Sequence, residues 1–165
     1  MASSTNPSIP LSLVLKKYSK GPDTGIFTDG SARPNPGPGG WGVVWVEQGK
    51  IIKQLHGAVP DTTNNRMELT ALKNALMLLD ENAECEIFTD SELCCNTFNK
   101  WAITWESKGW KKSGGEIKNL DLVKEVYTLY RARPNVKMKW IAAHSAWLWN
   151  EYADSLSTAW CRDTL

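Results

Sequence analysis

Asp29 and Asp90 are the residues whose placement first suggests chemistry. Each closes the same tetrapeptide, Ile-Phe-Thr-Asp, at Ile26–Asp29 and again at Ile87–Asp90, and each is followed by a small turn residue, Gly30 or Ser91. The β-branched and aromatic content of the tetrapeptide predicts a strand. Side chains alternate faces along a strand, so Phe27 shares a face with Asp29, and Phe88 with Asp90. If the two strands lie side by side and parallel, two carboxylates meet at one edge of the sheet. They repel there, and a divalent cation is the simplest partner that removes the repulsion. On its own the repeat is also compatible with chance or with a calcium site.

Glu68 lies four residues before Leu72, at the N-terminal end of the apolar stripe of a helix predicted over 65–80, which continues through Ala75, Leu76 and Leu79. A capping box, with Asn65 as N-cap and Glu68 reaching back to its amide, is the structural alternative. Asp154 shares a helical face with Asn150, and Glu151 is three residues from it. Taken alone, that spacing reads as a solvated acidic face near a helix start. His144 follows a predicted strand and precedes Asp154 by ten residues. Acids from separate elements meeting at strand ends fit Mg²⁺, which takes hard oxygen ligands and substrate phosphate. Two such ions support in-line phosphoryl displacement.

The elements that must position these residues can be traced along the chain. Strands are predicted at 25–30, 41–47, 51–59, 85–90 and 136–142, with the second and third joined as a hairpin around Gln48-Gly49-Lys50. Helices are predicted at 65–80, 91–98, 100–108, 119–131 and 149–161. Loops rich in Pro and Gly (Ala32 to Gly40) or in Lys, Gly and Ser (109–118) lie between them. A three-strand meander followed by β-α-β units implies a mixed sheet with helices on its faces. Residues 1–24 read as a flexible N-terminal extension, and 25–162 as one domain.

The chain has 165 residues, 42% hydrophobic and 22% charged, enough for one domain with a real core. The net charge of +1 makes no case for nucleic acid by itself. The four cysteines, Cys85, Cys94, Cys95 and Cys161, form no CxxC pair, which argues against a zinc site and for reduced thiols. No apolar run is long enough to span a membrane, and no signal sequence is evident, so the expectation is a cytoplasmic protein without membrane contact; a monomer is expected.

Four ordered segments resemble type 1 ribonuclease H. Phe27-Thr28-Asp29-Gly30-Ser31 with Asn35-Pro36-Gly37-Pro38-Gly39-Gly40-Trp41-Gly42 is similar to the opening of that family. Thr62-Thr63-Asn64-Asn65-Arg66-Met67-Glu68-Leu69, then Thr89-Asp90-Ser91, then His144 with Asn150-Glu151 and Asp154 are similar to its later motifs. The likeness runs from about 25 to 161. It implies a ribonuclease H-like mixed five-stranded sheet, an antiparallel meander plus parallel strands, flanked by helices. The implied activity is an endonuclease that cuts the RNA strand of an RNA–DNA hybrid. By the same resemblance Asp29, Glu68, Asp90 and Asp154 hold the metal, two Mg²⁺ with substrate or alternatively Mn²⁺. His144 is then a mobile residue that assists proton transfer or product departure.

The resemblance also marks substrate contacts. Asn35, Asn64 and Asn65 fall on positions facing the minor groove, where amides read a 2′-hydroxyl and base edges; capping and turn formation are the structural alternatives. Thr63 and Asn119 match a pocket for a DNA phosphate, or else a helix lead-in and an N-cap. Trp101, Trp105 and Trp110 match a tryptophan-rich handle, or else core. Residues 100–118 carry five lysines against Glu106 and Glu116, a phosphate-contacting patch or a solvated loop. Asn150 and Glu92 complete the set of implied contacts.

The chain departs from the family pattern in three places. Glu92 stands where many members carry Gln, and Glu106 and Ser107 dilute the handle, which implies weaker hybrid binding with a shallower salt dependence. Ala146 stands where a glycine is usual, followed by Trp147, Leu148 and Trp149, which implies a stiffer, more apolar loop or a partner-binding surface. Two other functions remain open at this stage: a non-catalytic hybrid- or RNA-binding module, and another nuclease on the same fold. Retention of all four acids and His144 opposes the first. The Asn64–Glu68 segment and the Trp/Lys handle oppose the second.

Overall fold

The computed structural model describes residues 9–143 and 145–165. Its sheet has five strands in the order β3-β2-β1-β4-β5. These are β1 (Gly25–Ala32), β2 (Gly37–Glu47), β3 (Lys50–Thr62), β4 (Cys85–Thr89) and β5 (Val136–Trp140). β1, β2 and β3 form the antiparallel meander, while β4 runs parallel to both β1 and β5. The helices are α1 (Leu11–Lys17), α2 (Asn64–Met77), α3 (Glu92–Asn96), α4 (Ala102–Ser107), α5 (Leu120–Arg131) and α6 (Leu148–Ser157). Among the described residues no helix is long and apolar enough to cross a membrane.

The two tetrapeptides are adjacent and in register. Ile26 pairs with Ile87, Phe27 with Phe88 and Thr28 with Thr89. Strand alternation sorts their side chains onto two cores. Ile26 and Ile87 face a cluster built with Leu69, Leu72 and Leu76 of α2 and Val123 and Val126 of α5. Phe27 and Phe88 stack at 4.7 Å on the opposite face, among Trp149, Tyr152 and Leu156 of α6. With both faces covered, β1 is buried along nearly its whole length.

Several local expectations are corrected. Residues 9–24 are not separate from the domain: α1 buries Leu11 and Val14 in the α6-side core. Burial of these two side chains offsets part of the entropy cost of ordering the segment, and backbone hydrogen bonds from Leu11 and Tyr18 add to that offset. Residues 1–8 lie outside the described residues. The Ala32–Gly40 loop is narrower than expected, because β1 runs to Ala32 and β2 begins at Gly37. The two helices expected over 91–98 and 100–108 are joined by a π-helical turn, Thr97–Trp101. The last helix ends at Ser157, followed by a 3₁₀ turn, Ala159–Cys161.

Candidate metal centre and nucleic-acid interface

Asp29 follows Thr28, the last residue of β1 in register with β4, and Asp90 follows Thr89, the last residue of β4, so both carboxylates lie at the same end of the paired strands. Glu68 arrives from α2. Its helix is capped by Thr63, whose hydroxyl accepts from the Arg66 amide at 3.2 Å. Capping by Thr63 rules out the capping box with Asn65, and Glu68 is left as a buried residue of the inward face. Gly30 permits the approach: a methyl group there would lie 2.3 Å from the Met67 carbonyl carbon. Gly42, paired with Asp29 across the sheet, does the same for α6, since a methyl would lie 2.7 Å from the Ala153 carbonyl oxygen.

Ligand oxygens of Asp29, Glu68 and Asp90 all lie within 4.8 Å of one another. Asp29 is 6% and Glu68 9% exposed. Asp29 Oδ1 accepts from the Gly30 amide at 2.9 Å. Glu68 Oε1 is buried with no hydrogen-bond partner. Asp154, on the α6 side, stands within hydrogen-bonding reach of Asp29 and acts electrostatically on both Asp29 and Glu68. Burial, followed by the charge of Asp90 and its neighbours, pushes the Asp29 carboxyl well above its ordinary range. Burial and then Asp90 do the same to Glu68. An unpartnered buried carboxylate oxygen among converging acids is the feature a hard divalent cation would satisfy, so the donor set fits such an ion.

The structure places the other predicted residues as follows. Asn35, Asn64, Asn65 and Glu92 are exposed. Asn35 Oδ1 accepts from the Asn64 amide at 3.0 Å, and Asn64 Oδ1 accepts from the Ala32 amide at 2.7 Å, so these asparagines tie the β1–β2 loop to the start of α2. Asn119 precedes α5 in a left-handed conformation (φ 56) and makes no side-chain cap. Its side-chain Oδ1 instead accepts from Arg66 at 3.3 Å, beside the two-bond pairing of Arg66 with Asp121. Asn150 is buried.

Trp101 is exposed and lies 6.1 Å from Trp105, while Trp105 and Trp110 pack against the core. Trp149 is buried, and Trp147 and Leu148 pack on the α6-side core, so the expected partner-binding surface at 147–149 is interior packing. Ala146 takes φ 66, the left-handed region that favours glycine. His144 lies outside the described residues.

Sequence reasoning missed Trp140. It ends β5 beside Thr89, and its indole N–H donates to the Asp90 carbonyl at 3.2 Å. A strand-end tryptophan one strand away from Asp90 was the available signal.

A mixed sheet that gathers buried carboxylates at the end of two parallel strands defines a class, the hydrolytic nucleases of the ribonuclease H-like fold. The RNase H family model matches residues 22–162. The chain is 39% identical over 141 residues to ribonuclease H of Hahella chejuensis, covering 85% of this chain and 94% of that one. It is 41% identical over 133 residues to ribonuclease HI of Pseudomonas putida, covering 80% and 88%. It is also similar to a crystal structure of LC11-RNase H1 in complex with RNA/DNA hybrid, with a TM-score of 0.60, 30% identity and coverage of 81% and 93%. The chain belongs to the ribonuclease H family and is a hydrolytic nuclease. The family depends on divalent metal, which agrees with the donors gathered here.

Proposed function

We propose that this protein is a monomeric endonuclease that hydrolyses the RNA strand of RNA–DNA hybrids and leaves 5′-phosphate and 3′-hydroxyl ends. The observation that carries the reading is the Asp29–Glu68–Asp90 cluster, with Asp29 and Glu68 buried and one Glu68 oxygen unpartnered. Asp29, Glu68, Asp90 and the adjacent Asp154 would hold two Mg²⁺, with Mn²⁺ an acceptable substitute. When bound, these ions supply Lewis acidity toward water and phosphate oxygens.

The chain's own groups position the polymer. Asn35 and Asn64 spend carbonyl oxygens on backbone amides, which leaves their NH₂ groups as the donors toward a 2′-hydroxyl or a base edge. Asn65 lies on the same exposed turn. The Trp101–Trp105 pair and the lysines of 100–118 support the DNA strand, and Thr63 with Asn119 receives one of its phosphates. Glu92 and Asn150 flank the acids, and His144 assists proton transfer or product departure.

Water adds at the scissile phosphorus and the P–O3′ bond breaks, so no protein nucleophile is required. The cysteines agree with that: burial pushes the Cys94 and Cys95 thiols up to about 11, which keeps them protonated and inert. A silent binding module would have no use for unscreened acids facing phosphates.

Labelled RNA–DNA hybrid, double-stranded RNA and double-stranded DNA, each incubated with Mg²⁺ and with chelator, test the reading. The expected result is cleavage of the hybrid's RNA strand alone, only with the cation, and with 5′-phosphate ends. Cleavage of all three duplexes would overturn the substrate assignment.

A further inference from the structure

Residues 9–21 precede the segment matched by the family model, yet they are built into the face of the sheet that carries Asp154. Two sets of contacts fasten them. At the first, Leu11 and Val14 are 7% and 1% exposed and pack with Phe27, Phe88, Tyr152 and Leu156. There the Leu11 amide donates to the Leu165 carbonyl at 2.8 Å, and the Ser155 hydroxyl donates to the Ile9 carbonyl at 2.6 Å.

At the second, Lys20 forms a parallel bridge with Trp147. Gly21, at φ +94, lies so close to that ring that a methyl group would sit 2.5 Å from its Cγ. The ring of Trp147 in turn meets Phe88 edge-on at 6.2 Å, two residues before Asp90.

The helix start explains why this matters. The first amides of any helix lack intrahelical acceptors. Trp147, the residue before α6, makes no side-chain cap. The Leu148 amide is satisfied instead by the Lys20 carbonyl at 2.9 Å. The N-terminal segment therefore supplies the missing acceptor and packs against α6. One turn and a half further along that helix, Asp154 is held beside Asp29, a like charge that would push it away.

We infer that residues 9–21 are a positioning strap: they hold the start of α6, and with it Asp154, against the two acid-bearing strands, so that divalent-cation affinity depends on a segment outside the family's matched unit. The inference rests on the role proposed for Asp154 above.

The test uses the full chain, with Mn²⁺ alone as probe and its binding followed by the electron paramagnetic resonance of the free ion. Val14→Asp puts a charge into the buried contact and should weaken Mn²⁺ binding by about fivefold, within the range of measured couplings. The Leu148 amide should exchange faster in the same variant. In an Asp154→Asn background the same substitution should leave Mn²⁺ affinity unchanged, which a merely destabilising role would not produce. Gly21→Ala, which crowds Trp147, carries the same pair of measurements if Val14→Asp does not fold. Wild-type affinity in the strap variants, or an equal loss with and without Asp154, overturns the strap. If Asp154→Asn alone leaves Mn²⁺ affinity unchanged, the role of Asp154 fails and the strap falls with it.

Discussion

The two ends of this sheet both carry acids, and only one of them is a site. At the end where β4 begins, Glu47, Asp80, Glu84 and Glu86 line an open cleft with Trp45, Cys85 and Lys137. Glu47, Asp80 and Glu84 are exposed there, and Glu86 is paired with Lys139. At the end where β1 and β4 finish, Asp29, Glu68 and Asp90 are drawn within 4.8 Å of one another, two of them buried. The count of acids is similar at each end. Water solvates the first group and is largely excluded from the second, so only the second stores unscreened charge that a cation would relieve.

The contrast can be broken most sharply by matched neutral substitutions. Asp90→Asn should lower cleavage of the hybrid by on the order of 10²–10³-fold, as expected for loss of a group that stabilises developing charge. Glu84→Gln, at the open end, should stay within about twofold in the same steady-state assay, as surface changes do. Comparable losses in both variants would erase the distinction.

Next in size is the packing that creates the burial. Gly30→Ala sets a methyl 2.3 Å from the Met67 carbonyl carbon, against backbone that cannot yield cheaply. It should cost about 1–3 kcal/mol or more, read as a lowered thermal midpoint together with lost activity.

The stored charge has a pH signature. Asp29 and Glu68 have folded-state values raised above their unfolded ones, mainly by burial and then by their acidic neighbours. Their contribution to stability is complete below the unfolded values, about 4 to 4.5, and is lost as pH rises through the folded ones. The metal-free protein should therefore lose several degrees of thermal midpoint between about pH 4.5 and neutrality relative to Asp29→Asn. Mg²⁺ should restore them at neutral pH. Parallel curves for the two proteins would contradict the electrostatics.

The smallest effect concerns Trp140. Trp140→Phe keeps a ring but removes the donor to the Asp90 carbonyl. One such bond contributes about 1 kcal/mol, so a midpoint lower by about 2–4 °C is expected in a thermal scan, with Mn²⁺ binding weakened several-fold at most.

Much of this site was legible because its signals are short and local. The repeated tetrapeptide declares both strands and both acids, and its parallel, in-register pairing follows from like sequences packing on like neighbours. The meander and β-α-β order were readable from turn residues and apolar periods. The cap of α2 was harder, because Thr62, Thr63, Asn64 and Asn65 are all good caps and only tertiary packing selects Thr63. α1 was missed because seven residues with Leu13 and Leu15 exposed beside buried Leu11 and Val14 give no clean helical stripe. The packing of half-buried Trp147 and buried Trp149 depends on that same helix and on Lys20, contacts more than a hundred residues away in sequence that no local window contains.

The central claim is that two neighbouring strands and α2 deliver acids to one buried cation site. Titration of Mn²⁺ into the wild-type protein, Asp29→Asn, Asp90→Asn and Glu84→Gln, read by the resonance of the unbound ion, tests it most directly. The account predicts binding in the wild type and in Glu84→Gln, and its loss in Asp29→Asn and Asp90→Asn. Binding that survives in both of these aspartate variants would contradict it.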